Sequence, residues 1–138
     1  MPQHNAYLNF DGTCAEAMKF YQGVLGGKLD VMTIGQSPAA EHVPAEAHGR
    51  VMHANLVFDG GTLMAADSQP GMPFNGMHGF GLVLTYPTAA EAKKTFDKLV
   101  EGGRVTMPFD KTFWAEGFGM LVDRYGTPWM LNGAMMAM

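Results

Sequence analysis

The sequence predicts an α+β fold built from two βαβββ modules, and features repeated in the two halves of the chain carry this prediction. Each half contains a T-x-x-E motif, a Gly-Gly pair further on, and a turn between two apolar runs in which an Asp is followed, after one or two residues, by Gly-Thr. The threonines Thr13 and Thr88 are 75 residues apart, and the glycines Gly26 and Gly102 are 76 apart. A repeat at a nearly fixed offset indicates two copies of one structural unit.

A helix is predicted after each T-x-x-E motif. In such a capping box the threonine oxygen accepts a hydrogen bond from a free amide of the first turn, and the glutamate reaches back to the cap amide. The boxes are Thr13 to Glu16 and Thr88 to Glu91, and apolar residues follow both at helical spacing. Each helix should bury one face and end at a glycine of the following pair.

Short apolar runs on both sides of each helix predict eight strands. Two modules, about 5–68 and 78–133, then form a single domain of residues 1–138 with the helices on one face of antiparallel sheet. A ferredoxin-like split unit has four strands per domain, too few for this chain. The predicted strands are 6–10, 28–34, 51–58, 63–67, 80–86, 104–109, 119–122 and 128–131.

Two segments, 35–49 and 68–79, interrupt this regularity and are predicted to be loops. They are rich in Pro, Gly and polar residues. Long polar loops in a compact domain serve as binding lids or dimer arms, or form mobile surface excursions, and the sequence leaves both interpretations open.

Composition and charge exclude several classes of partner. The 138 residues carry a net charge of −4 with nine Lys and Arg, never more than two of them adjacent, so we expect no nucleic-acid partner. No apolar run approaches the roughly 18 residues of a membrane span, so we expect no membrane association. A single cysteine, Cys14, and the lack of a signal-peptide pattern lead us to expect a cytoplasmic location.

Three stretches form distinctive sequence signatures. They are YLNFDGTCAEAMKFYQGVLGG at Tyr7 to Gly27, HAN at His53 to Asn55 with the DGG that follows, and FWAEGFG at Phe113 to Gly119 with DRYGTPWMLN at Asp123 to Asn132. Together they resemble the PhnB-like branch of the vicinal oxygen chelate (glyoxalase/bleomycin resistance/dioxygenase) superfamily. Members of this branch often carry the label 3-demethylubiquinone-9 3-methyltransferase. The sequence has no glycine-rich strand-to-helix loop of the kind that holds a nucleotide-like methyl donor.

The resemblance implies an architecture and a location for the site. In the glyoxalase/bleomycin resistance/dihydroxybiphenyl dioxygenase-like fold the modules form an open barrel-like cup that holds the ligand, and the protein is usually a homodimer. Metal-dependent relatives place a His, Gln or Glu on the first and last strand of each module. Here the corresponding positions are Asn5, a position near 65–66, Phe80 and Met130, of which Asn5 alone is even a weak ligand. We therefore expect no metal and no cofactor.

The ligand-binding residues predicted from the sequence begin with His53 and Asn55. Alternate residues of a strand share a face, so these two should face the cup while Met52, Ala54, Leu56 and Phe58 pack on the helices. His53 could act as a base or hydrogen-bond donor, or could be satisfied by its neighbours. Asp67, at the end of its strand, could bind a ligand, pair with His53 or cap a helix.

Aromatic residues complete the predicted site. Trp114 and Phe118 are predicted to form a ligand wall, and Trp129 is predicted to lie in the core. Cys14 lies in the first turn of a helix, where the helix dipole would lower the pKa of its thiol, but its place on the apolar stripe favours a buried, inert thiol.

Three functions are compatible with these patterns, and the sequence leaves open whether the protein is an enzyme. The first is a metal-independent pocket for an unidentified small molecule, with unknown catalytic residues. The second is a metal-dependent lyase, isomerase or dioxygenase of the glyoxalase type with a shifted ligand set such as His4, His53 and Glu116. The third, a structural adaptor, would expose an apolar patch.

Overall fold

A computed structural model of the chain describes residues 2–69 and 71–136, so Pro70 of the second predicted loop lies outside the described residues. Within those residues there are two α-helices and eight β-strands. The chain divides into two compact units, Met1–Gly76 and Met77–Met138. No helix in the described part is long and apolar enough to cross a membrane.

Unit 1 is a four-stranded mixed sheet with one helix. Its elements are β1 (Ala6–Phe10), α1 (Cys14–Leu25), β2 (Lys28–Thr33), β3 (Val51–Phe58) and β4 (Gly61–Asp67). The strand order is β1-β4-β3-β2, in which β1 runs parallel to β4 and the other neighbours are antiparallel. The predicted loop after β2 contains three short 3-10 helices, at Ile34–Gln36, Pro38–His42 and Ala45–Ala47.

Unit 2 repeats the same topology. Its elements are β5 (Leu82–Tyr86), α2 (Ala89–Leu99), β6 (Arg104–Asp110), β7 (Ala115–Val122) and β8 (Pro128–Met135). The strand order is β5-β8-β7-β6, again with the first strand parallel to the last and the rest antiparallel. The predicted α+β fold with two βαβββ modules is therefore confirmed, but the prediction of antiparallel sheet is wrong, because the helix returns the chain so that one pair of strands in each unit is parallel.

Each helix covers one face of its own sheet. The apolar stripe of α1 is buried from Cys14 to Tyr21, as the helical spacing predicts, and is half-buried in the last turn at Val24 and Leu25. In α2, Phe96 and Leu99 are buried. The buried residues of unit 1 include Leu8, Phe10, Cys14, Ala17, Met18, Tyr21, Ala54, Leu56, Leu63 and Ala65.

The first helix begins differently from the prediction. Thr13 makes no side-chain cap hydrogen bond, so the predicted capping box at this position is wrong. Instead, the Oδ1 atom of Asp67, at the end of β4, accepts hydrogen bonds from the amides of Gly12 at 2.8 Å and Cys14 at 3.0 Å. A buried carboxylate from a distant strand therefore satisfies the free amides at this helix start.

The second helix has the predicted threonine cap, but the Glu91 carboxylate accepts a hydrogen bond from the Thr88 hydroxyl at 3.0 Å instead of from the cap amide. The Oγ1 atom of Thr88 accepts a hydrogen bond from the amide of Glu91 at 3.1 Å.

Gly133 lies in the last register pair between β5 and β8, as Asp67 does between β1 and β4. A Cβ atom on Gly133 would approach the Cα atom of Ala89 to 2.5 Å, so α2 packs against β8 more closely than a larger residue would allow.

One residue of the predicted apolar face of β3 lies elsewhere. Met52 is 39% exposed, whereas Ala54 and Leu56 are fully buried. The ladder between β2 and β3 pairs Met32 with His53 and Thr33 with Val51, so Met52 is passed over in a β-bulge. A bulge changes the direction of the side chain at the extra residue, which a period-2 pattern cannot anticipate.

Candidate functional site

In unit 1 the candidate site lies on the sheet face opposite α1. His53 and Asn55 alternate with the fully buried Ala54 and Leu56, so they point away from the helix. The cross-strand partner of Asn55 is Met64 of β4, and the partner of Met64 on the other side is Tyr7 of β1. The predicted shared face of His53 and Asn55 is present.

Asn55 carries an unsatisfied polar atom. Its Oδ1 atom is buried and has no hydrogen-bond partner among the described residues. Leaving a buried acceptor unpaired costs about 1–3 kcal/mol. A buried group of this kind commonly meets a water molecule or a ligand.

His53 is also available for recognition. Within the described part of the chain its ring makes no hydrogen bond, and its closest aromatic neighbour is Tyr7, with ring centroids 6.2 Å apart. The side chain is half-buried. An imidazole in this state has both a donor and an acceptor nitrogen to offer.

Asp67 does not join this group. It lies on the helix side of the sheet, where its Oδ2 atom accepts a hydrogen bond from the amide of Val51 at 2.8 Å in addition to the two helix amides on Oδ1. Capping is thus the role that the structure gives its carboxylate, and a role in ligand binding stays a prediction. Beside it, burial and the charge of Asp67 raise the pKa of the Cys14 thiol to about 12, in agreement with the prediction of a buried thiol.

In unit 2 the candidate site lies on the face opposite α2. Cβ atoms added to Gly117 and Gly119 would collide with Phe109, Ala89 and Phe96 on the helix side. Phe118, which alternates with these glycines, therefore points away from the helix. Its partner in the register with β8 is Asn132, and the β5 partner of Asn132 is Thr85.

Trp114 extends this aromatic surface. Its ring centroid is 5.1 Å from that of Phe118 and 4.8 Å from that of Phe113, both in edge-to-face geometry. Trp114 is half-buried and Phe118 is buried, whereas Phe113 is 78% exposed. Trp129 lies in the core as predicted, 1% exposed, with its Nε1 atom donating to Asp123 at 2.8 Å.

Asn132 is a candidate that the sequence prediction missed. Its Oδ1 atom is the second buried side-chain atom without a hydrogen-bond partner in the described residues. The predicted strand ended at Leu131, which hid the alternation that places Met130 and Asn132 on one face and Trp129 and Leu131 on the other. The available signal was that alternation, continued by one residue.

Two cavities occur elsewhere in unit 1. The larger, of about 510 Å³, lies between Asn9 of β1 and the segment around Phe74, and the smaller, of about 250 Å³, lies beside Arg50 and Asp11. None of the five predicted ligand-binding residues lines either of these two cavities. Both border the second predicted loop, and whether that loop is a binding element or a surface excursion stays a prediction.

The family's metal positions hold side chains that do not fit a divalent ion. Asn5 and Phe80 precede their strands and are exposed, Ala65 and Ala66 carry no donor atom, and Met130 offers a thioether. Among residues 2–69 and 71–136 no group of three or more His, Cys, Asp or Glu side chains is arranged to hold a metal ion. The shifted set of His4, His53 and Glu116 therefore gains no support.

The paired βαβββ units define the class of protein. They are the architecture of the glyoxalase/bleomycin resistance/dioxygenase domains, and a solved domain of that description from Frankia sp. EAN1pec is similar to this chain with a TM-score of 0.64. That similarity covers 96% of this chain and 92% of the other at 14% identity, so it concerns the fold alone.

Sequence comparison identifies the family. The family model described as 3-demethylubiquinone-9 3-methyltransferase matches residues 3–132. Protein YjdN of Escherichia coli K12 is 36% identical over 135 residues, 91% of each chain. The chain belongs to this family, the PhnB-like family that its signatures resemble.

Two solved structures agree with this assignment. Protein PA1353 from Pseudomonas aeruginosa is 43% identical, with a TM-score of 0.88 over 96% of this chain and 97% of its own. A putative 3-demethylubiquinone-9 3-methyltransferase, the PhnB protein from Bacillus cereus, is 30% identical, with a TM-score of 0.75 over 95% and 98%.

Proposed function

We propose that the protein binds a small organic molecule, without a metal ion, on the sheet faces opposite its helices. The observation that carries this proposal is the buried, unpaired Oδ1 atom of Asn55 on the same face as His53. A ligand that donates a hydrogen bond to this oxygen would remove the penalty of leaving it unpaired. The proposal assigns no catalytic reaction.

In unit 1, His53 and Asn55 are the residues proposed to form hydrogen bonds with the ligand. The imidazole and the amide lie two residues apart on β3 and point the same way, so together they offer two acceptors and two donors. Tyr7 and Met64 supply apolar surface beside them. A few polar groups on an apolar surface are typical of a small-molecule site.

Aromatic recognition in unit 2 is the role of Trp114 and Phe118. Their edge-to-face pair leaves Trp114 half-buried, and such a ring offers a large contact area at low cost in conformational entropy. Each unit is proposed to contribute its own contacts, and each is tested by its own variant.

The donor set supports metal-free binding. Metal-dependent relatives use His, Gln or Glu at positions that here hold Asn5, a residue near Ala65 and Ala66, Phe80 and Met130. An alanine methyl, a phenyl ring and a thioether do not bind zinc, nickel or iron(II) in the manner of those residues. The ligand must then be recognised by hydrogen bonds and packing.

Methyl transfer, which the family description names, is not part of the proposal. A nucleotide-like methyl donor would need free amides at a strand-to-helix turn. In unit 1 the amides of Gly12 and Cys14 at that turn are already bonded to Asp67.

The experiment is a thermal-shift screen followed by calorimetry on single variants. A ligand bound by unit 1 should bind more than about tenfold more weakly to His53→Ala, and a ligand bound by unit 2 more than about tenfold more weakly to Trp114→Ala, each change being equivalent to roughly 1.4 kcal/mol. The matched controls are His78→Ala and Phe80→Ala, which remove an exposed histidine and an exposed aromatic ring outside the proposed contacts and should leave the affinity unchanged.

The opposite pattern would overturn the proposed site. A correctly folded His53→Ala protein with wild-type affinity, together with loss of binding in Asn5→Ala, would move the site to the family's metal positions. About one equivalent of zinc, nickel or iron per purified chain would contradict metal-free binding.

A further inference from the structure

We propose that Asn132 sets the ligand preference of unit 2, which binds a flat, neutral or cationic molecule through an N–H or O–H group donated to the Asn132 Oδ1 atom. This inference rests on the proposed function and adds to it a residue and a chemical class of ligand. Asn132 belongs to a row of four residues that are paired across the four strands of the unit, which we call the acceptor row after the Asn132 oxygen. The row consists of Thr85 of β5, Asn132 of β8, Phe118 of β7 and Asp110 of β6.

The first observation is the unpaired amide of Asn132. The residue is 8% exposed, its Oδ1 atom has no partner in the described part of the chain, and its Nδ2 atom is a long 3.5 Å from the Oγ1 atom of Thr85. Exchanging the oxygen and nitrogen of the amide would leave the nitrogen unpaired instead. In either orientation the site lacks one hydrogen-bond partner, and a ligand can supply it.

The second observation is the aromatic surface beside this amide. Phe118 is the direct cross-strand neighbour of Asn132, and the Trp114 ring lies 5.1 Å from the Phe118 ring. Cross-strand neighbours have Cβ atoms about 4.5–5.5 Å apart. A donor bound at Asn132 therefore belongs to a molecule whose body contacts aromatic rings, which favours a flat, conjugated ligand.

The third observation is the charge of the row. Asp110 pairs with Phe118 across β6, and Glu116 precedes Phe118 by two residues on the same face of β7. Both carboxylates are exposed, so their effect is modest and screened by salt. The negative charge of these carboxylates still weakens the binding of an anion and strengthens the binding of a hydrogen-bond donor or a cation.

The approach to Asn132 is bordered by adaptable side chains. Thr85 is exposed, so the row is open to solvent at that end. The next row pairs Met120 with Met130, both half-buried. Unbranched methionine side chains repack at low cost, so this neighbouring row can adapt to an incoming ligand.

The test compares probes of one shape that differ in one group. Indole has an N–H donor, benzofuran replaces it with an oxygen acceptor, and indole-3-carboxylate keeps the donor but adds a negative charge. Dissociation constants come from titrations of the ¹⁵N-labelled full chain followed by NMR. Indole should bind at least tenfold more tightly than benzofuran, and indole-3-carboxylate at least threefold more weakly than indole.

Variants at Asn132 separate recognition from folding. Asn132→Leu removes the acceptor, so indole and benzofuran should bind within about twofold of each other, because the loss falls on indole alone. Asn132→Asp keeps an acceptor and should retain the preference for indole. The control Asn5→Leu changes an exposed asparagine in unit 1 and should leave the ratio of the two affinities unchanged.

Each contrary result has a distinct meaning. Equal affinity for indole and benzofuran in the wild type, or a preference that survives Asn132→Leu, overturns the role of Asn132 and leaves the proposed function standing. Failure of both probes to bind at millimolar concentration overturns the ligand class. The proposed function itself is tested separately, by the His53→Ala and Trp114→Ala variants.

Discussion

The carboxylate of Asp67 bonds three backbone amides from two different elements. Its Oδ1 atom holds Gly12 and Cys14 at the start of α1, and its Oδ2 atom holds Val51 at the start of β3. The side chain is 7% exposed. Asp67 therefore ties the helix, the bulged strand and β4 together at one end of unit 1.

Replacing this carboxylate should be far more damaging than removing Thr13. Asp67→Ala leaves three amides unpaired and should lower the free energy of unfolding by more than about 3 kcal/mol. Thr13→Ala should change it by less than about 0.5 kcal/mol, since its side chain caps nothing. Thr88→Ala, which removes a real cap, should cost roughly 0.5–2 kcal/mol.

Chemical denaturation of the three variants tests this order. A Thr13→Ala protein as destabilised as Thr88→Ala would restore the capping box at Thr13. An Asp67→Ala protein with wild-type stability would remove the carboxylate from the account of the fold.

The Cys14 thiol should be unreactive in the folded protein. Burial, and then the charge of Asp67, raise its pKa from 9.0 to about 12. The thiol is fully buried, so a disulfide reagent such as DTNB at pH 8 should modify it only after unfolding. Rapid modification of the native protein would contradict this burial.

The same shift predicts a pH dependence. The folded state keeps a proton that the unfolded chain releases above pH 9, so the contribution of Cys14 to stability is complete below pH 9 and is lost between pH 9 and about 12. A Cys14→Ala protein should lack this component of the alkaline loss of stability.

At the scale of the element, Gly133 controls how closely α2 lies on β8. A Cβ atom there would lie 2.5 Å from the Cα atom of Ala89 and 2.7 Å from the carbonyl oxygen of Thr88, both backbone atoms that cannot move aside alone. Gly133→Ala should therefore destabilise the protein by more than about 2 kcal/mol.

Gly23 provides the matched control. It is exposed within α1, and an added Cβ atom meets nothing within 4 Å. Gly23→Ala should stabilise the protein by about 0.5–1 kcal/mol because alanine loses less backbone entropy in a helix. Melting temperatures that move in the same direction for both variants would contradict the packing described for Gly133.

Element types followed from the sequence more reliably than element ends. The helix after Thr88 follows from a local motif, because the cap and its partner are three residues apart. The start of α1 depends on Asp67, 53 residues from Cys14 in sequence, so no local pattern shows it. The T-x-x-E motif at Thr13 therefore located a helix correctly but assigned its cap wrongly.

Strand length shows the same division. β7 was predicted to begin at residue 119 and β8 to end at residue 131. In the structure the two strands pair from Ala115↔Met135 to Val122↔Pro128. The extension depends on glycines that allow α2 to approach both strands, and glycine is a poor strand former by propensity. Asn132 was missed for this reason, whereas His53 and Asn55, in the middle of a strand predicted with its correct limits, were found.

At the scale of the whole molecule, the repeated motifs predicted the architecture because each module is stabilised by contacts within itself. The sheet order β1-β4-β3-β2 recurs as β5-β8-β7-β6, and each sheet is covered by its own helix. The ligand is harder to predict because it depends on side chains of single residues, such as Asn132, that the repeat does not constrain.

We also predict a homodimer. Within each described sheet the two outer strands have a free edge, and large apolar side chains are exposed nearby, including Tyr7 at 50% and Val83 at 53%. Such edges and patches are usually covered by another chain. Sedimentation at micromolar concentration should give twice the mass of the 14.9 kDa chain, and a monomer alone would contradict the prediction.

The most direct test of the central claim is the dissociation constant of the screened ligand, measured by calorimetry before and after exhaustive treatment with a chelator. Recognition by the hydrogen-bonding groups of unit 1 or by the aromatic surface of unit 2 needs no ion, so the two values should agree within about twofold. Loss of binding after chelation, restored by one equivalent of zinc or nickel, would contradict metal-free recognition.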